Sequence, residues 1–141
     1  SIIQNTNLEQ LTSAIINEYD VRTPLENPLA SSLSGGNLQK FVVGREIIKN
    51  PNVFFVAQPT WGVDIGATKF IRNALIDLAN EGCGIIVISQ DLEELFEFAD
   101  SISVLFRGSL SERKPVRELS AEKIGLLMGG EEIESLAKVN S

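Results

Sequence analysis

Residues 33–64 read LSGGNLQKFVVGREIIKNPNVFFVAQPTWGVD, a segment in which a helix pattern leads into a strand pattern. Two glycines follow Ser34, and the apolar residues after them recur at helical spacing: Leu38, Phe41 and Val42. Asn50-Pro51 ends the predicted helix, because the residue before a proline disfavours helical backbone. The apolar run 53–57 then has the length of a strand. Its unbroken apolarity predicts a strand that is covered on both faces.

The sequence on either side alternates between helix and strand patterns. Helical spacing is seen in four further groups of apolar residues: Leu8, Leu11, Ile15 and Tyr19; Ala67, Phe70, Ile71, Ala74, Leu75 and Leu78; Leu92, Leu95, Phe96 and Ala99; Ile124, Leu127 and Met128. A second buried-type strand is expected at 85–88 and a third strand at 102–106, followed by a turn at Arg107-Gly108 and a short return strand. Residues 20–32 are expected to form a loop. The alternation predicts an α/β fold with a mostly parallel sheet flanked by helices.

Composition excludes several classes of function. The 141 residues include 19 acidic and 12 basic side chains, so the net charge of −7 makes a nucleic-acid partner unfavourable. The absence of histidine excludes a Ser-His-Asp triad and a His-ligated metal site within this chain. Cys83 is the single cysteine, so no intrachain disulfide can form. No signal peptide or spanning segment is evident, and the missing initiator methionine suggests part of a longer protein.

The segment Leu33-Ser34-Gly35-Gly36-Asn37 is a candidate anion site at a helix start. Glycines let a ligand approach the backbone closely, and the exposed N–H groups at a helix N-terminus favour a phosphate. The Ser34 hydroxyl adds a donor. An ordinary helix start with flexible glycines accounts for these residues equally well.

The order of motifs after this segment is more specific. A buried-type strand at 53–57 runs directly into Gln58-Pro59-Thr60-Trp61-Gly62-Val63-Asp64. At this point the chain resembles the ATP-binding cassette (ABC) ATPases over nearly its whole length. Leu33–Asn37 matches the family's signature motif, 53–58 occupies the Walker B position, Trp61–Asp64 matches the D-loop, and 85–90 occupies the switch strand. Residues 16–24 (INEYDVRTP) and 57–60 (AQPT) further resemble the second cassette of tandem ATPase subunits in simple-sugar and nucleoside importers.

Three positions depart from the family pattern. Ala57 stands where the family has the Walker B aspartate, and its methyl group cannot coordinate Mg²⁺. Gln58 stands at the position of the catalytic glutamate, and an amide cannot accept a proton at neutral pH. Gln90 replaces the switch histidine. The phosphate-binding loop is absent from this sequence, so the resemblance implies a partial P-loop ATPase fold whose own site is hydrolytically weak.

The resemblance also implies that two cassettes contribute different residues to one ATP site. Residues 1–50 correspond to part of the helical subdomain, 51–130 to the C-terminal part of the ATPase core, and 131–141 to a flexible tail. The signature residues, Leu33 to Asn37, contact the phosphate of ATP held on the N-terminal cassette, and Asp64 helps to align that site. ATP and Mg²⁺ are expected in the full-length assembly and neither in the isolated fragment, which is expected to be inactive.

The implied partners are those of an importer. They are the N-terminal cassette, the transmembrane permease subunits and, indirectly, a substrate-binding lipoprotein, at the cytoplasmic face of a bacterial plasma membrane. The family's strand order leaves an open edge in this chain, so a homo-oligomer is expected. A non-catalytic regulatory or dimerisation module derived from a cassette is the main alternative. A soluble ABC protein of translation or repair is disfavoured by the acidic charge.

Several other features are expected to be structural. Cys83 is expected to be a buried, inert small residue, and Trp61 to lie on the loop surface. The carboxylate pairs Glu93-Glu94 and Glu131-Glu132 are expected on a solvated helix face and in the tail. They are therefore assigned no acid–base role.

Overall fold

The computed structural model describes residues 5–23 and 29–131. Within these described residues, five helices and six strands follow one another: α1 (Asn5–Glu18), α2 (Gly35–Ile47), β1 (Val53–Ala57), α3 (Ile65–Asn80), β2 (Gly84–Ile88), α4 (Leu92–Phe98), β3 (Ser101–Ile102), β4 (Leu105–Phe106), β5 (Ser109–Leu110), β6 (Lys114–Pro115) and α5 (Ala121–Met128). Short 3₁₀ turns lie at Ala30–Ser32 and Val116–Glu118. The chain forms two compact units, one ending at Ser89 and the other beginning at Gln90. The subdomain boundary expected near residue 50 stays a prediction, and the expected tail lies outside the described residues apart from Glu131.

Side-chain caps explain where four of the helices begin. In each case an oxygen of the residue before the helix accepts the backbone N–H three residues on, as at Ser34, Asp64, Asp91 and Ser120. Such caps satisfy N–H groups that have no partner inside the helix. The cap at Ser34 confirms the predicted start of α2.

The first unit contains a parallel pair of strands. β1 pairs with β2 in the register Val53–Gly84 through Ala57–Ile88, with α3 between them in the chain, as predicted. The prediction that both faces are covered is wrong. Phe54 is 7% exposed, but Phe55 and its neighbour Ile86 on the other face are 62% and 50% exposed. The helices described here cover one face of this sheet and leave the other open.

The buried contacts of α1 described by the structure lie at its C-terminal end. Ile15, Tyr19 and Val21 are buried and form a cluster with partly buried residues of α2 and α3. Leu8 and Leu11, on the same apolar face nearer the start of the helix, are 46% and 40% exposed. The last turns of α1 therefore pack against the rest of the unit.

The second unit is built from short antiparallel pairs. The predicted single strand at 102–106 is wrong, because β3 pairs with β6 while β4 pairs with β5. The break falls at Val104, whose N–H donates to the Ser111 hydroxyl (2.8 Å) and whose carbonyl accepts the Ser111 N–H (2.8 Å). The predicted turn and return strand are confirmed, with Arg107 and Gly108 both at positive φ. The prediction of a mostly parallel sheet is therefore correct only for the first unit.

Three smaller expectations can be compared with the burial of their side chains. Cys83 is buried, as expected, and Trp61 is 82% exposed. Glu94 is 4% exposed, so its placement on a solvated face is wrong. The helix that carries it turns Glu94 and Leu95 inward together. Among the described helices, none has the length and apolarity needed to cross a membrane.

Candidate functional site

The candidate site is the N-terminus of α2. Ser34 has extended backbone (φ −63°, ψ 158°), and its hydroxyl oxygen accepts hydrogen bonds from the Asn37 N–H (3.3 Å) and the Asn37 side-chain amide (2.9 Å). Ser34 and Gly35 are exposed to solvent. Ser34 and Gly35 therefore form the exposed start of a 13-residue helix, whose dipole favours an anion there, whereas Gly36 is buried.

The structure brings this helix start together with the predicted D-loop. A Cβ atom built on Gly36 would lie 3.0 Å from Asp64 Oδ2 and 3.1 Å from Ala67 Cβ. One on Gly35 would lie 3.9 Å from the Gly62 carbonyl oxygen. The absence of a side chain at Gly36 thus lets α2 lie directly against the start of α3. Gly36 and Asp64, which are 28 residues apart in the chain, are thus direct neighbours.

Asp64 is held in its charged form. Its Oδ1 accepts the Ala67 N–H at 2.9 Å, which caps α3. This hydrogen bond, with smaller contributions from the Gly66 N–H and the Lys40 cation, lowers the pKa of Asp64 below its ordinary value. The carboxylate is solvent-exposed and ionised at neutral pH, so it acts as an acceptor and a helix cap.

The loop after β1 carries the predicted Walker B replacements. Gln58 adopts a left-handed backbone (φ 50°), and its N–H donates to the Ile88 carbonyl at 2.7 Å. Pro59 is fully buried, and its carbonyl accepts the Gln39 side-chain amide at 2.8 Å. A non-glycine residue at positive φ costs free energy, and here bonds to β2 and α2 hold it in place. The loop is therefore fixed both to the sheet and to the candidate site.

The residues predicted to occupy the Walker B position do not fit a magnesium ion. Ala57 ends β1 with a methyl group that has no donor atom, and Gln58 offers a neutral amide. Within residues 5–23 and 29–131, no group of three His, Cys, Asp or Glu side chains is arranged to hold a metal. The helix start of α2, in contrast, fits a phosphate group, since it presents N–H donors and a hydroxyl.

The remaining predicted site residues are Leu33 and Gln90. The Leu33 side chain packs against the cluster around Ile15 and Tyr19, so only its backbone is available to a ligand. Gln90 is exposed and belongs to the second unit, and its assignment to the switch position stays a prediction.

Sequence reasoning missed the turn that follows α1. The Lys40 side chain is 9% exposed, and its ammonium donates to the Asp20 carbonyl (3.1 Å) and carboxylate (3.3 Å). It also lies 4.8 Å from the centre of the Phe70 ring, a cation–π contact. The Arg22 N–H donates to Asn37 Oδ1 at 2.9 Å. No local pattern predicts these bonds, because they join residues 15 and 20 positions apart.

Comparison with known proteins identifies relatives among importer ATP-binding proteins. The chain is 41% identical over 127 residues to the guanosine import ATP-binding protein NupO of Bacillus subtilis, covering 90% of this chain and 25% of that protein. It is 39% identical to the glucose import ATP-binding protein TsgD13 of Haloferax volcanii, covering 83% of this chain and 22% of that protein. It is 40% identical to the nucleoside import ATP-binding protein NupA of Lactococcus lactis, covering 82% and 23%. The chain thus spans about a quarter of the length of these relatives.

Solved structures show the same fold. The ABC transporter cassette MJ0796 matches with a TM-score of 0.68 at 19% identity, over 83% of this chain and 50% of the cassette. The cassette MJ1267 matches with a TM-score of 0.66 at 22% identity, over 92% and 49%. No family model matches the chain. From these comparisons, the chain is a part-length homologue of the ATP-binding proteins of sugar and nucleoside importers, and it has the fold of an ABC ATPase cassette.

Proposed function

We propose that the chain is the signature-bearing part of an ABC importer's ATP-binding subunit, which couples ATP binding and hydrolysis to the uptake of nucleosides or simple sugars. The observation that carries the proposal is the exposed start of α2, capped by Ser34 and packed against Asp64 through Gly36. The relatives named for guanosine, nucleoside and glucose import support the substrate class. The chain corresponds to part of the second cassette of such a subunit.

The surface formed by α2 and the D-loop completes an ATP site whose phosphate-binding loop lies on another cassette. The Ser34 hydroxyl and the N–H groups of Gly35 and Gly36 donate to the terminal phosphate, as a helix N-terminus does for anions generally. Asp64, ionised and fixed by its bond to Ala67, faces the same partner and aligns its catalytic groups. Leu33 contributes its backbone.

The chain's own pocket does not hydrolyse ATP. Hydrolysis needs a group that positions the attacking water and a set of oxygens that hold Mg²⁺. Ala57 offers neither, and the Gln58 amide cannot take up a proton. We therefore expect no ATP turnover from the 141-residue chain alone, with turnover in the parent coming from the site that this surface completes.

The proposal is tested by ATP turnover of the full-length subunit in its assembled transporter. Ser34→Ala is expected to reduce turnover at least tenfold, because it removes a donor to the transferred phosphate. Gln58→Ala is expected to leave turnover within about twofold. Ser120→Ala is the matched control, since Ser120 caps α5 through the same kind of bond to Lys123 (3.2 Å). A large loss with Gln58→Ala and none with Ser34→Ala would refute the scheme.

We further propose the partners that such a subunit requires. They are the N-terminal cassette, the transmembrane permease subunits and, through them, a substrate-binding lipoprotein. The subunit is then peripheral, on the cytoplasmic face of a bacterial plasma membrane. Co-purification of the full-length subunit with its permease tests this assignment.

A second candidate function is association without catalysis, as a regulatory or dimerisation module. It is favoured by the open face of the β1–β2 sheet, where Val53, Phe55, Ile86 and Ile88 are 45–65% exposed. Side chains of this size at such exposure form a patch of a few hundred Å², which marks an interaction surface. On this reading, the isolated chain forms a homo-oligomer.

Light scattering of the isolated chain tests that association. We expect a dimer or larger species whose population falls when Phe55→Ser removes the largest exposed side chain of the patch. Trp61→Ser is the matched control, because Trp61 is a more exposed aromatic residue outside the sheet. A monomer at high concentration would contradict self-association through this face.

A further inference from the structure

Asn37 is bound at both ends of its side-chain amide. Its Oδ1 accepts the Arg22 N–H at 2.9 Å, and its Nδ2 donates to Ser34 Oγ at 2.9 Å. One planar group thus joins the turn after α1 to the hydroxyl at the start of α2. A side chain held at both ends cannot reorient towards a ligand without losing one of these bonds.

The orientation of this amide follows from its neighbours. A backbone N–H can only donate, so the group that faces Arg22 must be the amide oxygen. The nitrogen then faces Ser34 and must donate to it. The opposite orientation would place two donors against each other at Arg22 and would lose that bond.

The Asn37 bonds decide what the Ser34 hydroxyl can do. Ser34 Oγ accepts from the Asn37 side chain and also from the Asn37 backbone N–H (3.3 Å). A hydroxyl has two acceptor lone pairs and one hydrogen. Both lone pairs are directed at Asn37, so the hydrogen points away from it, and no acceptor for it is found in the part of the chain that the structure describes. Ser34 is thereby held as a donor towards solvent.

The turn at the other end of the bridge is itself anchored. The buried Lys40 ammonium donates to the Asp20 carbonyl at 3.1 Å and lies over the Phe70 ring. Removing a cation from water is costly unless its donors are used, so this contact fixes the turn next to Arg22. The path from the end of α1 to the Ser34 hydroxyl therefore consists of short, directional bonds.

We propose that Asn37 is a positioning residue, which holds the Ser34 hydroxyl as a hydrogen-bond donor to the partner's phosphate and ties it to the turn after α1. This assignment rests on the proposed function and changes the role expected of Asn37, from phosphate ligand to support for Ser34. A simple capping role needs only the Asn37 backbone N–H. The side-chain bridge is not needed for that capping role. Through this bridge, a displacement of α1 is transmitted to the phosphate-binding hydroxyl of Ser34.

The first arm of the test uses the 141-residue chain without nucleotide and measures amide hydrogen exchange at Arg22. Asn37→Ala removes the acceptor, so exchange at Arg22 is expected to become about tenfold faster, as for a lost net bond of ordinary strength. Asn37→Asp keeps an acceptor for Arg22 and Ser34→Ala leaves Asn37 in place, so both should retain protection. Unchanged exchange in Asn37→Ala would refute this inference alone, whatever the function.

The second arm measures ATP turnover of the assembled parent in a double-mutant cycle. Asn37→Ala should reduce turnover several-fold in the wild-type background and should add nothing in the Ser34→Ala background, because it acts through Ser34. Asn37→Asp should also reduce turnover, since its carboxylate would take the Ser34 hydrogen. Additive losses would overturn the positioning role. No loss in Ser34→Ala would refute the proposed function, and the role of Asn37 towards phosphate with it, while the Arg22 exchange result would still report on the bridge.

Discussion

The contact between α1 and α2 depends on the absence of a side chain at Gly44. A Cβ atom built there would lie 2.6 Å from Cγ and Cδ2 of the Tyr19 ring. Carbon atoms prefer separations of about 3.5–4.0 Å, so Gly44→Ala creates an overlap of about 1 Å. The ring cannot move aside freely, since it is 7% exposed and packs edge-on against Phe70 at 6.2 Å between centroids.

The expected cost combines two opposing effects. Overpacking of a core costs about 1–3 kcal/mol, and an overlap with a rigid ring belongs in the upper half of that range. Replacing glycine by alanine inside a helix contributes about 1 kcal/mol in the other direction. Gly44→Ala should therefore lower the free energy of unfolding by about 1–2 kcal/mol. Urea denaturation followed by circular dichroism measures this loss, with hydrogen exchange of α2 amides to report on the first unit separately.

Gly125→Ala is the matched control for this experiment. Gly125 lies inside α5, and a Cβ atom there would meet nothing within 4 Å, so the substitution should stabilise its helix by up to about 1 kcal/mol. In a Tyr19→Ala background the overlap is gone, and Gly44→Ala should become stabilising as well. Equal effects of Gly44→Ala and Gly125→Ala in the wild-type chain would refute the steric reasoning.

Two further predictions concern charged residues of the first unit. Because the pKa of Asp64 is lowered in the folded chain, its contribution to stability is complete above the ordinary value of 3.8 and is lost as the pH falls through the folded pKa. Asp64→Asn retains a capping oxygen, so the difference between its urea midpoint and that of the wild type should shrink when the pH is lowered from 5 to below 3. Lys40→Met keeps an unbranched stem over Phe70, and the Asp20 carboxylate is 57% exposed and can be hydrated, so the loss should be about 1 kcal/mol. Lys40→Glu buries a carboxylate beside Asp20 and should cost about 3 kcal/mol or more in the same denaturation assay.

The sequence predicted those features that have short-range causes. The start of α2 at Ser34, the strand after Pro51 and the pairing of β1 with β2 across α3 all follow from caps, a helix terminator and short connections. The segment 102–106 could not be divided correctly, because its break at Val104 depends on bonds to Ser111. The burial of Lys40 could not be predicted from local sequence either, since its partners lie on a turn 20 residues away.

The site was predicted in part for the same reason. Gly36 and Asp64 were each identified from their own motif, but the 3.0 Å approach between them is a tertiary contact. The role of Asn37 needed the Arg22 backbone, which no motif includes. Local motifs therefore identified the residues, and only the packing of α1, α2 and α3 showed which of them support others.

One face of the β1–β2 sheet is apolar and exposed, although both faces were predicted to be covered. Phe55, Ile86 and Ile88 are as apolar as a strand with two covered faces requires, yet they are 45–62% exposed. Such a face lowers solubility unless something packs on it. The cassettes that share this fold are about twice the length of the matched part, so additional cassette polypeptide and a second copy of the chain are the two candidates for its cover. The two candidates predict different behaviour of the isolated chain. If a second copy covers the face, the isolated chain self-associates, and Phe55→Ser weakens that association. If other cassette residues cover the face, the isolated chain stays monomeric until those residues are supplied.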